Sequence, residues 1–264
     1  MMRNLNSKIA WITGASSGLG EALVYQLAKD NCKIILTSNE GDKLEEVAKK
    51  SGLSPENYLV LPLELENFDA EAAVQKVVDK FGGIDILINN AGICQKDFGE
   101  NTQESIERKI MEINYFAMVK LTKACLPYLK KSKGSVAAVG SLNGLVGAPM
   151  LTTYAASKFA VKGYFESLRY ELEKYGIQVL LIIPGFMKTD ITIKSLTGDG
   201  SQFGQNSITN EIGLTVDKCA LKISNAIKKN KSWIRMGRLE HLFPVVSMFF
   251  PNIHFWIFRK LHKM

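Results

Sequence analysis

The chain has 264 residues, 46% of them hydrophobic and 22% charged, the balance of a folded protein with a sizeable core rather than a disordered or fibrous chain. Its formal net charge of +7 is segregated: residues 218–264 hold ten basic residues and one acid, Glu240, for +9, while the other 23 basic and 25 acidic residues leave the body at −2. A near-neutral body argues against a nucleic-acid-binding protein, and four scattered cysteines without a C-x-x-C pair argue against a disulfide scaffold or a zinc site.

Residues 1–8 are polar and lack the apolar run of a secretory signal, so a cytoplasmic compartment with reduced thiols is expected. Short apolar runs then alternate with segments of helical period. Strands are predicted at residues 9–13, 34–37, 58–63, 84–89, 135–139, 179–184 and 232–236. Between them Leu23, Val24, Leu27 and Ala28 form one helical stripe, Val74, Val77, Val78 and Phe81 a second, and Leu168, Leu172 and Tyr175 a third. This alternation predicts an α/β, three-layer, doubly wound fold: a seven-stranded parallel sheet with helices on both faces. One domain over residues 1–240 is expected, followed by a tail at 241–264.

Two segments stand apart from that pattern. Residues 194–213 are rich in turn formers and read as a mobile excursion within a substrate loop at about 190–215, either a lid or a plain surface loop. The tail carries 17 mostly apolar residues, 242–258, interrupted by Pro244, Pro251, Asn252 and His254 and followed by cations. That is at the lower limit of the roughly 17–25 residues a membrane span needs. A peripheral, interfacial contact with a membrane is favoured, with a flap over the pocket or against a partner subunit as the alternatives.

The first predicted strand runs into Thr13-Gly14-Ala15-Ser16-Ser17-Gly18-Leu19-Gly20 and then into a striped helix. In that context Gly14 permits a tight turn, Gly18 lets the backbone approach a pyrophosphate, and Gly20 lets helix and strand pack closely; the helix N-terminus offers free N–H groups to phosphates. The same residues satisfy the G-x-S-x-G elbow of a serine hydrolase centred on Ser16. A triad would need a histidine, and the three present, His241, His254 and His262, all lie in the tail. Further on, Tyr154 and Lys158 are four residues apart, so a helix would place them on one face with the ammonium beside the phenol. Such a charge should lower the phenol's pKa towards working pH and make Tyr154 a general acid/base, with Ser141 bonding the substrate oxygen.

Together with Asn89-Asn90-Ala91-Gly92 and residues 184–189, Pro-Gly-Phe-Met-Lys-Thr, these motifs make the chain resemble the single-domain, Rossmann-type short-chain dehydrogenase/reductases over about residues 8–236. The resemblance implies an oxidoreductase that interconverts a carbonyl and a secondary alcohol with NAD(P)(H). It implies a catalytic set of Asn114, Ser141, Tyr154 and Lys158, with Lys158 also on the nicotinamide ribose and the backbone near Asn114 holding a water. Cofactor contacts are implied at Gly14, Ser16, Ser17, Gly18, Leu19 and Gly20, at Asn90, Ala91 and Gly92, and at Pro184, Gly185, Met187 and Thr189, besides Tyr154 and Lys158. Glu64, where the family commonly has Asp, and Leu65 are expected near adenine.

At the adenosine ribose the chain departs from both common family forms. Ser38 stands where NAD-binding members usually carry Asp, and Asn39 where NADP-binding members often carry Arg. Both can hydrogen-bond a 2′-phosphate, which favours NADP(H). NAD(H) stays open because Glu40 lies 20 residues after Gly20, a spacing suited to the free 2′-hydroxyl. Apolar neighbours of the catalytic residues, Leu142, Met150 and Phe186 among them, point to a small lipophilic substrate that contacts Ser141 and Tyr154. No metal is expected, and the resemblance implies a homodimer or homotetramer. A non-catalytic nucleotide-binding scaffold or sensor is the alternative, and a serine hydrolase a more distant one.

Overall fold

The computed structural model describes residues 2–205 and 212–261; part of the expected substrate loop and the end of the tail, His262 included, lie outside the described residues. Seven strands, β1 (Ile9–Thr13), β2 (Lys33–Thr37), β3 (Tyr58–Val60), β4 (Ile86–Asn89), β5 (Ser135–Val139), β6 (Gln178–Pro184) and β7 (Trp233–Met236), form one sheet in the order 3-2-1-4-5-6-7. Every neighbouring pair is parallel. β4, β5 and β6 are buried along their whole length, which is why they read as continuous apolar runs rather than as alternation. β3 is shorter than the predicted 58–63. Beyond Val60, Leu61 and Leu63 still donate to the Leu36 and Ser38 carbonyls at 2.9 and 3.0 Å, so Pro62 between them falls at an outward position of this edge strand, where no ladder N–H is needed.

The helices in chain order are α1 (Gly18–Lys29), α2 (Gly41–Lys50), α3 (Ala70–Phe81), α4 (Glu104–Met111), α5 (Ala117–Ser132), α6 (Thr152–Glu173), α7 (Val216–Lys228), α8 (Phe243–Phe249) and α9 (Pro251–Leu261). Two apolar clusters sandwich the sheet. Leu23 and Leu27 of α1, Leu44 and Val47 of α2 and Ile223 and Ile227 of α7 pack on one face. Val74 and Val77 of α3, Leu121 and Leu129 of α5 and Phe165 and Leu168 of α6 pack on the other. Tyr175 does not extend the α6 stripe: the helix stops at Glu173, Gly176 follows at φ 69°, and the Tyr175 ring is exposed.

The order reverses between β1 and β4, so the chain leaves these strands in opposite directions and opens a crevice at their carboxyl ends, where α/β folds bind ligands. Between α4 and α5 the helix widens into a single π turn, Glu112–Phe116, that carries the fully buried Asn114. Such turns insert a residue into the helical register and often mark functional sites.

Candidate active site

Ser141 follows β5 and starts a short 3-10 turn, Leu142–Gly144; its Oγ accepts from the Asn143 N–H at 3.1 Å. That turn lies directly against α6. A Cβ on Gly144 would stand 2.6 Å from the Lys158 carbonyl oxygen, so only glycine admits the approach that brings Ser141 to Tyr154. The Ser141 hydroxyl hydrogen-bonds the Tyr154 phenol. Lys158, one helical turn on, is 3% exposed and its Nζ donates to the Val139 carbonyl at 3.0 Å.

Asn114 locks this group from behind. Its Oδ1 accepts from the Ile93 N–H at 2.8 Å, and its Nδ2 donates to the Ile93 carbonyl at 2.9 Å and to Ser157 Oγ at 3.0 Å. Ser157 in turn donates to the Tyr154 carbonyl at 2.7 Å, tying the first turn of α6 to the strand end. The Asn114 side chain is spent on these bonds and stands behind the cleft wall rather than in it.

The electrostatics differ from the expectation of a phenol lowered by its lysine. Burial pushes Tyr154 above its ordinary range, with the bond from Ser141 pulling the other way. Burial likewise pulls Lys158 down to about 8 from 10.5. Desolvation penalises both charged forms and outweighs the pairing that helical spacing alone suggests.

These groups face a cleft of about 1300 Å³. At its floor, Gly14 and Gly18 take φ of 65° and 58°, left-handed values that open the loop between β1 and α1. Ser16, Ser17 and Leu19 line the cleft beside them. Gly20 does not: a Cβ there would lie 1.9 Å from the Gly14 carbonyl oxygen, so its part is to close the loop onto the helix. The Asn90 side chain binds the loop itself, donating from Nδ2 to the Thr13 and Gly14 carbonyls at 2.9 and 3.2 Å, while Ala91 and Gly92 form the adjoining wall. A Cβ on Gly92 would crowd Asn114 Oδ1 at 3.1 Å and Lys158 Nζ at 3.4 Å. Ser17 makes no side-chain cap at the start of α1, which leaves first-turn N–H groups facing the cleft. Opposite them stand Pro184, Gly185, Met187 and Thr189, the last with its methyl 3.6 Å from where a Gly18 Cβ would be. A Gly-lined cradle, a bare helix start and a cleft of this size fit a dinucleotide.

Ser38, Asn39, Glu64 and Leu65 line the cleft beyond the Gly-rich loop, and so does Glu40. Ser16 Oγ donates to Glu40 Oε2 at 2.8 Å and Lys43 pairs with its other oxygen. The hydrogen bond from Lys43, with a smaller contribution from Ser16, holds the carboxyl below its ordinary range, so Glu40 is a carboxylate. Ser38 Oγ already accepts from the Glu40 N–H at 3.0 Å.

On the substrate side Met150 and Phe186 line the cleft, but Leu142 does not: its 3-10 turn buries it behind the wall. Met150 sits at φ 62°, unusual for a side chain with a Cβ, and its carbonyl accepts from the Asp97 N–H at 3.1 Å. Several lining residues were invisible to motif reading, among them Cys94, Lys96, Leu196, Gln202 and, from α9, Phe258. The described part of the 194–213 stretch is fastened rather than free. Leu196 exchanges 2.8 Å backbone bonds with Cys94 and Lys96, Gly198 N donates to Asp97 Oδ2 at 2.9 Å, and the Lys96 ammonium lies 4.8 Å from the Phe203 ring centre. Glu240 secures the wall after β6, accepting from the Phe186 and Arg238 N–H groups at 3.1 and 2.9 Å. Among the described residues no histidine lines the cleft, and Ser16 donates to a carboxylate instead of to an imidazole, which removes the geometry of a hydrolase triad.

Comparison with known proteins matches residues 8–199 to the short chain dehydrogenase family model. An Anopheles gambiae dehydrogenase/reductase SDR family protein 7-like is 34% identical over 98% of this chain and 84% of its own length. The Homo sapiens dehydrogenase/reductase SDR family member 7 is 35% identical over 98% of this chain and 79% of its own length. Among solved structures, a Burkholderia phymatum short chain dehydrogenase/reductase in complex with NAD superposes with a TM-score of 0.82 at 19% identity, covering 97% of this chain and 96% of that one.

Proposed function

This chain belongs to the short-chain dehydrogenase/reductase family and is an oxidoreductase with an NAD(P)-binding fold, and from that premise we propose that it interconverts a carbonyl and a secondary alcohol on a small lipophilic substrate. The observation that carries this reading is the convergence of Ser141, Tyr154 and Lys158 on one wall of a cleft whose floor is the Gly-rich loop. A bound nicotinamide dinucleotide supplies the hydride or accepts it. The chain's own residues do the rest. The loop backbone and the N-terminus of α1 hold the pyrophosphate, and Thr189 faces them across the cleft. Tyr154 Oη gives the proton to the nascent alkoxide in reduction and takes it back in oxidation, while Ser141 Oγ donates a hydrogen bond to the same oxygen. The Lys158 ammonium stabilises the phenolate left behind, which offsets the burial that keeps Tyr154 protonated at rest. Asn114 positions the helix turn that carries both. By family resemblance the protein assembles as a homodimer or homotetramer.

The adenosine end supports NAD(H) over the NADP(H) that Ser38 and Asn39 suggested. Glu40 brings a carboxylate to that end, where it can accept from a free 2′-hydroxyl and repels a 2′-phosphate. Fluorescence titration with NADH and NADPH, followed by a carbonyl panel of increasing chain length read by nicotinamide absorbance, tests the whole reading. Tighter NADH binding with turnover that rises along the panel supports it. Binding without turnover of any carbonyl or alcohol would make the protein a nucleotide-binding scaffold, and tighter NADPH binding would overturn the role of Glu40.

A further inference from the structure

The two C-terminal helices have two unlike faces. Inward, the Phe243 and Phe258 ring centres lie 5.7 Å apart, His254 packs on Phe258 at 4.6 Å, and Phe258 forms part of the cleft wall. Outward, Met248, Phe249, Phe250 and Trp256 are exposed by 77, 64, 58 and 55%, a continuous apolar surface that a folded chain does not normally leave to water. Cations border it: Arg259 and Lys260 are exposed, and the Lys260 ammonium lies 4.1 Å from the Trp256 ring centre. No helix among the described residues is long and apolar enough to cross a membrane.

We infer that this face docks the protein in the plane of an anionic lipid bilayer, aromatic side chains at headgroup depth and cations on the lipid phosphates, so that the cleft mouth at Phe258 opens towards the membrane. Two observations choose this occupant. Arg259 and Lys260 are exposed at the end of α9 beside Trp256, and neither C-terminal helix contains an acidic residue, so charge attracted to anionic lipid borders the apolar face itself. A second copy of the chain on the same face would bring the two cationic segments together, which opposes an isologous contact. The inference rests on the oxidoreductase reading only in naming the substrate: a lipophilic carbonyl or alcohol that partitions into the bilayer and enters past Phe258.

The test is sedimentation of the full chain with vesicles of phosphatidylcholine alone or with about 30% phosphatidylserine, in low and physiological salt. Cofactor and substrate are absent, so failure here leaves the oxidoreductase reading intact. We expect binding only to the anionic vesicles, a blue-shifted Trp256 emission, and a loss of about 10- to 30-fold for Arg259→Gln with Lys260→Gln. Phe250→Ser with Trp256→Ser, both on the outward face, should abolish binding and leave turnover of a water-soluble carbonyl unchanged. No vesicle binding, or binding that survives both double variants, overturns the inference. So does a lipid-free dimer that Phe250→Ser with Trp256→Ser dissolves, since the face would then be a subunit interface.

Discussion

Replacing Lys158 with methionine should abolish turnover and stabilise the fold. The amine is 3% exposed and its native pKa is about 8, against 10.5 unburied. At about 1.4 kcal/mol per pH unit, keeping the proton on the buried amine costs the native state about 3 kcal/mol at neutral pH. Methionine keeps most of the stem volume and removes that cost, but leaves the Val139 carbonyl without its 3.0 Å partner, a loss of about 1–3 kcal/mol. The net gain is about 0–2 kcal/mol, a rise of up to about 8 °C in Tm for a chain of this size. The pH dependence separates this from generic repacking. Between pH 8 and 10.5 the unfolded lysine binds more protons than the native one, so wild-type stability rises with pH across that window relative to the variant. Urea unfolding of both proteins at pH 7 and pH 10 measures the difference, with all other groups common to both. A variant less stable than wild type at pH 7, or an advantage that does not shrink by pH 10, refutes the reasoning.

Four further outcomes follow from the geometry. Ser141→Ala should lower kcat by about 10²–10³-fold with cofactor binding unchanged, measured by steady-state kinetics beside a dinucleotide titration; an equal loss of cofactor affinity would mean that it shapes the cleft instead. Glu40→Gln should tighten NADPH about tenfold relative to NADH, since it removes the carboxylate held by Ser16 and Lys43; an unchanged ratio means that Glu40 does not read the ribose. Gly144→Ala must place a Cβ 2.6 Å from the Lys158 carbonyl, costing about 1–3 kcal/mol in the denaturant midpoint and displacing Ser141; an unaltered midpoint would show that the turn is not pinned to α6. The reduction rate should fall as pH rises through about 8, where Lys158 loses its charge, and a profile flat to pH 10 would remove Lys158 from the protonation step.

Local spacing carried the parts of the site that are local. Tyr154 and Lys158 lie one turn apart on α6, and the Gly-rich loop falls between β1 and α1, because both are short-range consequences of helix and turn geometry. What escaped is set by approach between distant segments. Nothing around Gly144 announces that a Cβ there would collide with the Lys158 carbonyl, and no helical periodicity reveals the π turn that aims Asn114 at Ile93 and Ser157. Leu142 follows Ser141 in sequence, yet the 3-10 turn carries it behind the wall, so adjacency misled. The spacing of Glu40 was visible, but its contact with Ser16 of the Gly-rich loop after β1, on which the proposal of NAD(H) rests, was not. Pairing strength read from spacing also overlooked desolvation, which sets the direction of both the Tyr154 and Lys158 shifts. The tail's three readings could not be separated by composition, because which of its aromatic side chains turns to the cleft, as Phe258 does, and which stays exposed, as Trp256 does, is set by tertiary packing.

In the proposed reaction Tyr154 Oη transfers the proton in carbonyl–alcohol interconversion. Tyr154→Phe keeps the ring and removes only that oxygen, so single-turnover oxidation of the bound dinucleotide by a reactive carbonyl, measured alongside its dissociation constant, isolates the step. The rate should fall by about 10²–10⁴-fold while the dissociation constant stays within a factor of about three. A rate within a factor of about ten of wild type would contradict the account and move the proton donor to another group in the cleft.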